Sequence, residues 1–156
     1  MEQIDRTERY LQRIRSFYRG VERPYHSING FEDDVVSFFM HCHHISDWIA
    51  HLNNNGVTLS EVNKYIDKHV ELQICADFCN GSKHYKLTRG TRSGHQPHMV
   101  VKSFESLDIA SIDPIPKPSF EKASFKILAN GETFDALLLA EKCFSLWLKF
   151  VKTYCA

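Results

Sequence analysis

The fold of this chain hinges on "VELQICADFCNGSKHY", residues 70–85. Positions spaced four, three and four apart share one face of an α-helix. Gln73, Asp77, Asn80 and His84 have that spacing, so a continuous helix here carries a polar stripe. Val70, Ile74, Phe78 and Tyr85 run beside it, and Leu72, Cys75, Ala76 and Cys79 complete an almost wholly apolar wrap. A helix apolar nearly all round belongs inside a protein. Its stripe must then border a cleft or bond to neighbouring elements, because an unpaired buried Asp or Asn is costly. Gly81 costs about 1 kcal/mol against alanine in a helix interior, so it marks a close backbone approach or the helix end.

Working outward, "TLSEVNKYIDKHV" leads into this stretch, with Thr58 or Ser60 as N-cap. The two together form one kinked helix or two helices with a seam near Lys68. Before them, "FEDDVVSFFMHCHHISDWIAHLNNNG" predicts a long amphipathic helix over about 31–52. Val35, Phe38, Phe39, Cys42, Ile45 and Ile49 lie on its inner face; its acids suit a first turn, and "NNNG" ends it. A first helix over 5–19 places Tyr10, Leu11, Ile14, Phe17 and Tyr18 at helical spacing, and Gly20 and Pro24 interrupt it.

After Thr88 the character changes. "TRGTRSGHQP" is a glycine-containing loop and "HMVVKSF" a strand. "SIDPIPKP" is extended, because each proline disfavours helix in the residue before it. "KASFKIL" is a second strand, ended by the Asn130-Gly131 turn signal. The closing helix, "TFDALLLAEKCFSLWLKFVKTYC", is expected to be capped by Thr133 and to bury Phe134, Leu137, Leu138, Phe144, Leu148 and Val151. The expected fold is therefore mainly α, one domain over 1–156. It is an antiparallel bundle of four to five helices with a small β-hairpin before the last, and 88–131 as the loop and hairpin excursion.

Composition narrows the function classes. A chain of 156 residues with 43% hydrophobic content can bury a full core. No apolar run reaches membrane-spanning length, and "MEQIDRTERY" lacks the apolar centre of a secretory signal. Cys42, Cys75, Cys79, Cys143 and Cys155 are an odd set, and Cys42, Cys75 and Cys143 sit in apolar helical patterns; a reduced, cytoplasmic setting follows as the expectation. Nineteen basic and nineteen acidic side chains cancel, so any polyanion must be drawn by local charge.

Local charge is concentrated in one place. Between Asp77 and Glu105 there is no acid, while Lys83, Lys86, Arg89, Arg92 and Lys102 accumulate with His84, His95 and His98. Such a segment suits phosphate contacts, or else is a solvated loop balanced by acids elsewhere. Phosphate-binding GxxxxGK[ST] and dinucleotide GxGxxG patterns do not occur. In "HCHHISDW", His41, His44 and Asp47 have spacing that could share a metal, but solvated histidines fit that face better, and no metal or other cofactor is assigned. Asp47-Trp48 offers an anchor, since a buried indole N–H needs an acceptor.

"FFMHCHHISDWI", "ICADFCNGSKHYKL" and "ILANGETFDALLLAEKCFSLWLKF" together resemble small helical proteins of bacterial genomes and mobile elements, of the integron gene-cassette type. The shared pattern is His-x-x-Asp-Trp, then Ala-Asp-x-x-Asn-Gly-x-Lys-His. The resemblance implies His44, Asp47, Trp48, Asp77, Asn80, Lys83 and His84 as binding-site residues; charge adds Arg89 and Arg92. The chain also resembles HEPN helical bundles, some of them ribonucleases, through Arg89 and His95 with five residues between. Here that pair lies in a glycine-containing loop instead of on a helix.

Three functions are open on this basis. The first is a binding module, expected to be a homodimer, for a phosphate-bearing ligand, with RNA or a nucleotide as partner. The second is a metal-independent ribonuclease using His84 or His95 with Lys83 or Arg89. The third is a purely structural interaction domain, in which Asp77 fastens the bundle and its loss leaves polar partners unpaired.

Overall fold

Helices supply most of the described chain, and four of the five precede its long strands. The computed structural model describes residues 1–22, 28–51, 56–83, 90–107 and 120–155. In chain order it has α1 (Glu2–Arg19), β1 (Val21–Glu22), α2 (Ile28–His51), α3 (Leu59–Asp67) and α4 (Val70–Lys83). Then follow β2 (His98–Leu107), β3 (Phe120–Ala129), β4 (Glu132–Asp135) and α5 (Ala136–Tyr154). The fold is mainly α.

The inner face of α2 is the one its aromatic spacing predicts: Val35, Phe38, Phe39, Cys42, Ile45 and Ile49 are all fully buried. The helix starts earlier than expected, at Ile28, which moves Glu32, Asp33 and Asp34 out of its first turn. Thr58 caps α3 through a capping box, its hydroxyl accepting from the Glu61 N–H while Glu61 reaches back to the Thr58 N–H. Lys68 stands between α3 and α4, so the uncertain stretch is two helices.

The β excursion is larger than a small hairpin. Two ten-residue strands, β2 and β3, pair antiparallel from His98↔Leu128 to Leu107↔Phe120, with a register shift between Met99 and Val101. The short strands β1 and β4 pair with different parts of β3, giving a four-stranded sheet. Alternate residues of β3, Glu121 through Ala129, are buried toward the helices. Phe17 of α1 meets Phe125 edge-on at 5.9 Å and Phe31 of α2 at 4.7 Å, joining sheet and helices in one core.

One gap in the sheet is closed by a side chain. On the side of β3 away from β2, β1 pairs only at Phe120 and Glu121, and β4 only from Lys126 onward. Between them the Tyr18 hydroxyl takes both groups of Phe125, donating to its C=O and accepting from its N–H, each at 3.0 Å. Burial is the main reason its phenol is raised from 10.0 to about 12.

Asn130 and Gly131 have φ of 50° and 76°, the paired positive values of a type I′ turn, and they join β3 to β4. Phe134 and Thr133 therefore belong to β4. Asp135, not Thr133, caps α5, its Oδ1 accepting from Leu137 N and Leu138 N at 2.9 and 3.0 Å. The buried face of α5 also differs from expectation. Ala136, Leu139, Ala140, Cys143, Phe144, Leu146, Trp147 and Phe150 are buried, while Leu138 is 66% and Leu148 43% exposed. Ala136, Ala140 and Cys143 are small, which suits close packing, so this face wins over the bulkier leucines beside it.

Candidate functional site

Asp77 stands in the middle of α4 and is 3% exposed, so its carboxylate needs partners. They all come from the chain 15–16 residues later. Arg92 N donates to Oδ1 at 2.8 Å, and Ser93 N and Ser93 Oγ donate to Oδ2, both at 2.6 Å. The Gln96 amide adds a bond to the Asp77 backbone carbonyl at 2.9 Å. Gly81 lies one turn further along α4, and a methyl at its Cα would overlap that same Gln96 side chain. Gly81 is thus the close approach that its cost implied. Asp77, Gly81 and Gln96 form a clamp that fixes residues 92–96 against α4.

Arg92 is held at both ends. Its guanidinium donates to Asp67 Oδ1 and Asn63 Oδ1, each at 2.9 Å, which ties the clamped segment to α3 as well. Lys102 is paired with Glu32 at the start of α2. Two of the cations that made the 83–102 region look basic are therefore engaged by carboxylates of the fold. Within 83–89, "KHYKLTR", there is no acid at all.

The polar stripe is only partly a stripe. Gln73 is half-buried and donates to Asp67 O at 2.8 Å, while Asn80 is exposed. Lys83 is the last residue of α4, so the helix is continuous from 70 to 83. His84 and Arg89 lie outside the described residues, as does Tyr85. Of the candidate residues, Asp77 and Arg92 are brought into direct contact. His44 and Trp48 are half-buried on α2 and Asp47 is exposed, its backbone carbonyl accepting from the His51 ring at 2.7 Å. The Asp47 carboxylate forms no ion pair among the described residues, so it is not seen anchoring the helices. His95 is exposed, and its carbonyl accepts from Ser93 Oγ at 3.3 Å.

Ser93 and Gln96 are the functional partners that the sequence did not mark. Two of the three bonds to the Asp77 carboxylate are from backbone N–H groups, which every non-proline residue carries, so residue type gives no signal for them.

Three thiols also converge. Cys42 of α2, Cys75 of α4 and Cys143 of α5 are fully buried and lie beside one another. Burial pushes the Cys42 and Cys75 thiols well above their ordinary range. At Cys143 the neighbouring Cys42 and Cys75 thiols oppose that burial. Cys75 and Cys143 each donate their one S–H to a backbone carbonyl, Phe39 O and Glu71 O. The trio behaves as a packed polar knot between three helices. Among the described residues, no group of three or more His, Cys, Asp or Glu side chains could hold a metal ion. No described helix is long and apolar enough to cross a membrane.

No family model, curated protein or solved structure matches the chain.

Proposed function

We propose that this protein is a small binding module that takes a phosphate-bearing ligand, RNA or a nucleotide, on segment 83–89. The supporting observation is the Asp77 clamp. The chain leaves α4 at Lys83 and is back on the same helix, at Asp77, by Arg92. At 1.5 Å per residue, Asp77 and Lys83 are about 9 Å apart along the axis. Lys83 and Arg92 thus both stand on this end of α4, and the sequence between them carries His84, Lys86 and Arg89. The Asp77 carboxylate is turned inward to Arg92 and Ser93. Asp77 positions the segment; the cations bind.

A homodimer is part of this proposal. β2 is a ten-residue strand, one edge pairs with β3, and no described strand pairs the other. Val100 and Phe104 on it are 42% and 37% exposed. Long, free, partly apolar edges are unusual in proteins that stay monomeric, and a second copy adding its own β2 would cover this one.

The test is titration of a fluorescent single-stranded oligoribonucleotide at low salt, followed by anisotropy. Saturable binding that weakens in Lys86→Ala and Arg89→Ala, at unchanged melting temperature, supports the proposal. Absence of saturable binding ends it for these ligands. RNA cleavage in EDTA that disappears in His84→Ala or His95→Ala would replace binding with catalysis.

A further inference from the structure

A second site, independent of segment 83–89, lies between α3 and the end of α5. Val57, Tyr65, Phe150 and Tyr154 make its apolar wall, and Glu61, Lys64 and Lys68 its rim, around a cleft of about 170 Å³. We propose that this cleft binds a single-ring aromatic carboxylate.

The wall is built for a flat ring. Phe150 is buried, with Tyr65 edge-on and Tyr154 tilted against it, each at 4.7 Å between ring centres. The Tyr65 hydroxyl donates to Leu146 O at 3.0 Å, so that ring is fixed in orientation and its polar end is satisfied by the protein. Tyr154 is 54% exposed, a large aromatic surface left to water at the mouth. Aromatic pairs favour edge-to-face and offset contacts at such spacings, and a third ring entering here finds both geometries. The volume sets the size: an apolar cavity of about 150 Å³ holds one benzene ring.

The rim sets the charge. Lys64 of α3 and Lys68, its C-cap, are exposed, four residues apart, and form no ion pair among the described residues. Like charges at that spacing repel, and an anion between them relieves it. The acid of the rim is committed elsewhere. Glu61 Oε2 accepts from Thr58 N and Thr58 Oγ1, both at 2.8 Å, and these bonds, with a smaller effect from Lys64, hold its carboxyl below the usual range. Glu61 therefore serves the helix cap, and the two ammonium groups remain for a ligand. An aromatic cage without cations would suit an ammonium ligand; Lys64 and Lys68 turn this one against it.

Titration with benzoate, followed by amide chemical shifts of the intact protein, is the experiment, with benzyl alcohol, acetate and benzylammonium as parallel probes. Benzoate is expected to saturate with shifts at Tyr65, Lys68, Phe150 and Tyr154, and to bind more tightly than each of the other three. Lys64→Met with Lys68→Met, which keeps the apolar stems, should weaken benzoate about five- to tenfold, as expected for two screened charge contacts. The same variant should leave benzyl alcohol unchanged. Tyr154→Ala, at an exposed position, should weaken both. Equal affinity for benzoate and benzyl alcohol, or saturable shifts confined to other parts of the protein, would overturn the proposal, as would no saturable shift for any probe.

Discussion

Replacing Asp77 with alanine removes the acceptor for three donors, two of them backbone N–H groups. Hydrogen bonds to a charged group contribute about 1.5–3 kcal/mol each, so the sum of three sets an upper bound. The loss will fall below that sum. Residues 92–93 can lift off α4 and rehydrate, and the apolar surroundings of position 77 accept a methyl. About 3 kcal/mol is expected, roughly the cost of one such bond at full strength and a second in part. Asp77→Asn should cost nearly as much, because its amide places a donor where Ser93 or Arg92 already donates. Urea denaturation followed by circular dichroism gives the stability change. Amide hydrogen exchange gives its location: Arg92 and Ser93 should lose protection in both variants while the amides of α2 keep theirs. If Asp77→Ala unfolds at the wild-type midpoint with these two amides still protected, the clamp is not what holds the segment.

Gly81→Ala acts on the same clamp from the other side. It should improve helix propensity yet destabilise the protein, by about 1–2 kcal/mol, because displacing Gln96 breaks its bond to the Asp77 carbonyl; a denaturation midpoint above wild type would refute it. Tyr18→Phe leaves the Phe125 N–H and C=O without their partner and should cost about 1–3 kcal/mol by the same assay. Its pH signature follows from the raised phenol: unfolded tyrosine ionises near 10.0, the folded one only at about 12. Wild type should therefore lose stability as pH rises from 10 toward 12, and Tyr18→Phe should lose less over that window. Native protein treated with an aromatic disulfide reagent should show at most one fast thiol, Cys155, because Cys42, Cys75, Cys79 and Cys143 are buried; all five should react in denaturant. Light scattering should report a dimer, and Phe104→Lys should shift it to monomer without lowering the melting temperature of the monomer.

Elements with dense, unambiguous spacing were legible. The six inner residues of α2, at 35, 38, 39, 42, 45 and 49, recur three or four apart around one adjacent pair and so mark a single helix face. The Asn130-Gly131 turn was legible because positive φ at two successive positions has few sequence solutions. The face of α5 was not. "ALLLAEKCFSLWLKF" is apolar over most of its circumference, and the choice among faces depends on how closely neighbours approach, a property of the assembled core. The extent of the sheet was also hidden. All described residues of β2 from Lys102 to Ser106 are exposed, so the strand lacks the alternation that betrays a half-buried one. At the site, Asp77 was recognisable as a polar residue in an apolar helix, and Gly81 as a helix glycine whose cost needed a reason. Their partners in "RSGHQ" were not, since a clamp made of main-chain donors leaves little mark on residue choice.

Binding of single-stranded RNA as a function of salt tests the role of segment 83–89 most directly. Neutralising three phosphates by Lys83, Lys86 and Arg89 releases their counterions, giving a slope of log K against log salt of about −2. Replacing all three by alanine should flatten that slope toward zero and abolish measurable affinity at moderate salt. An unchanged slope in the triple variant would contradict the assignment and place the contacts elsewhere on the protein.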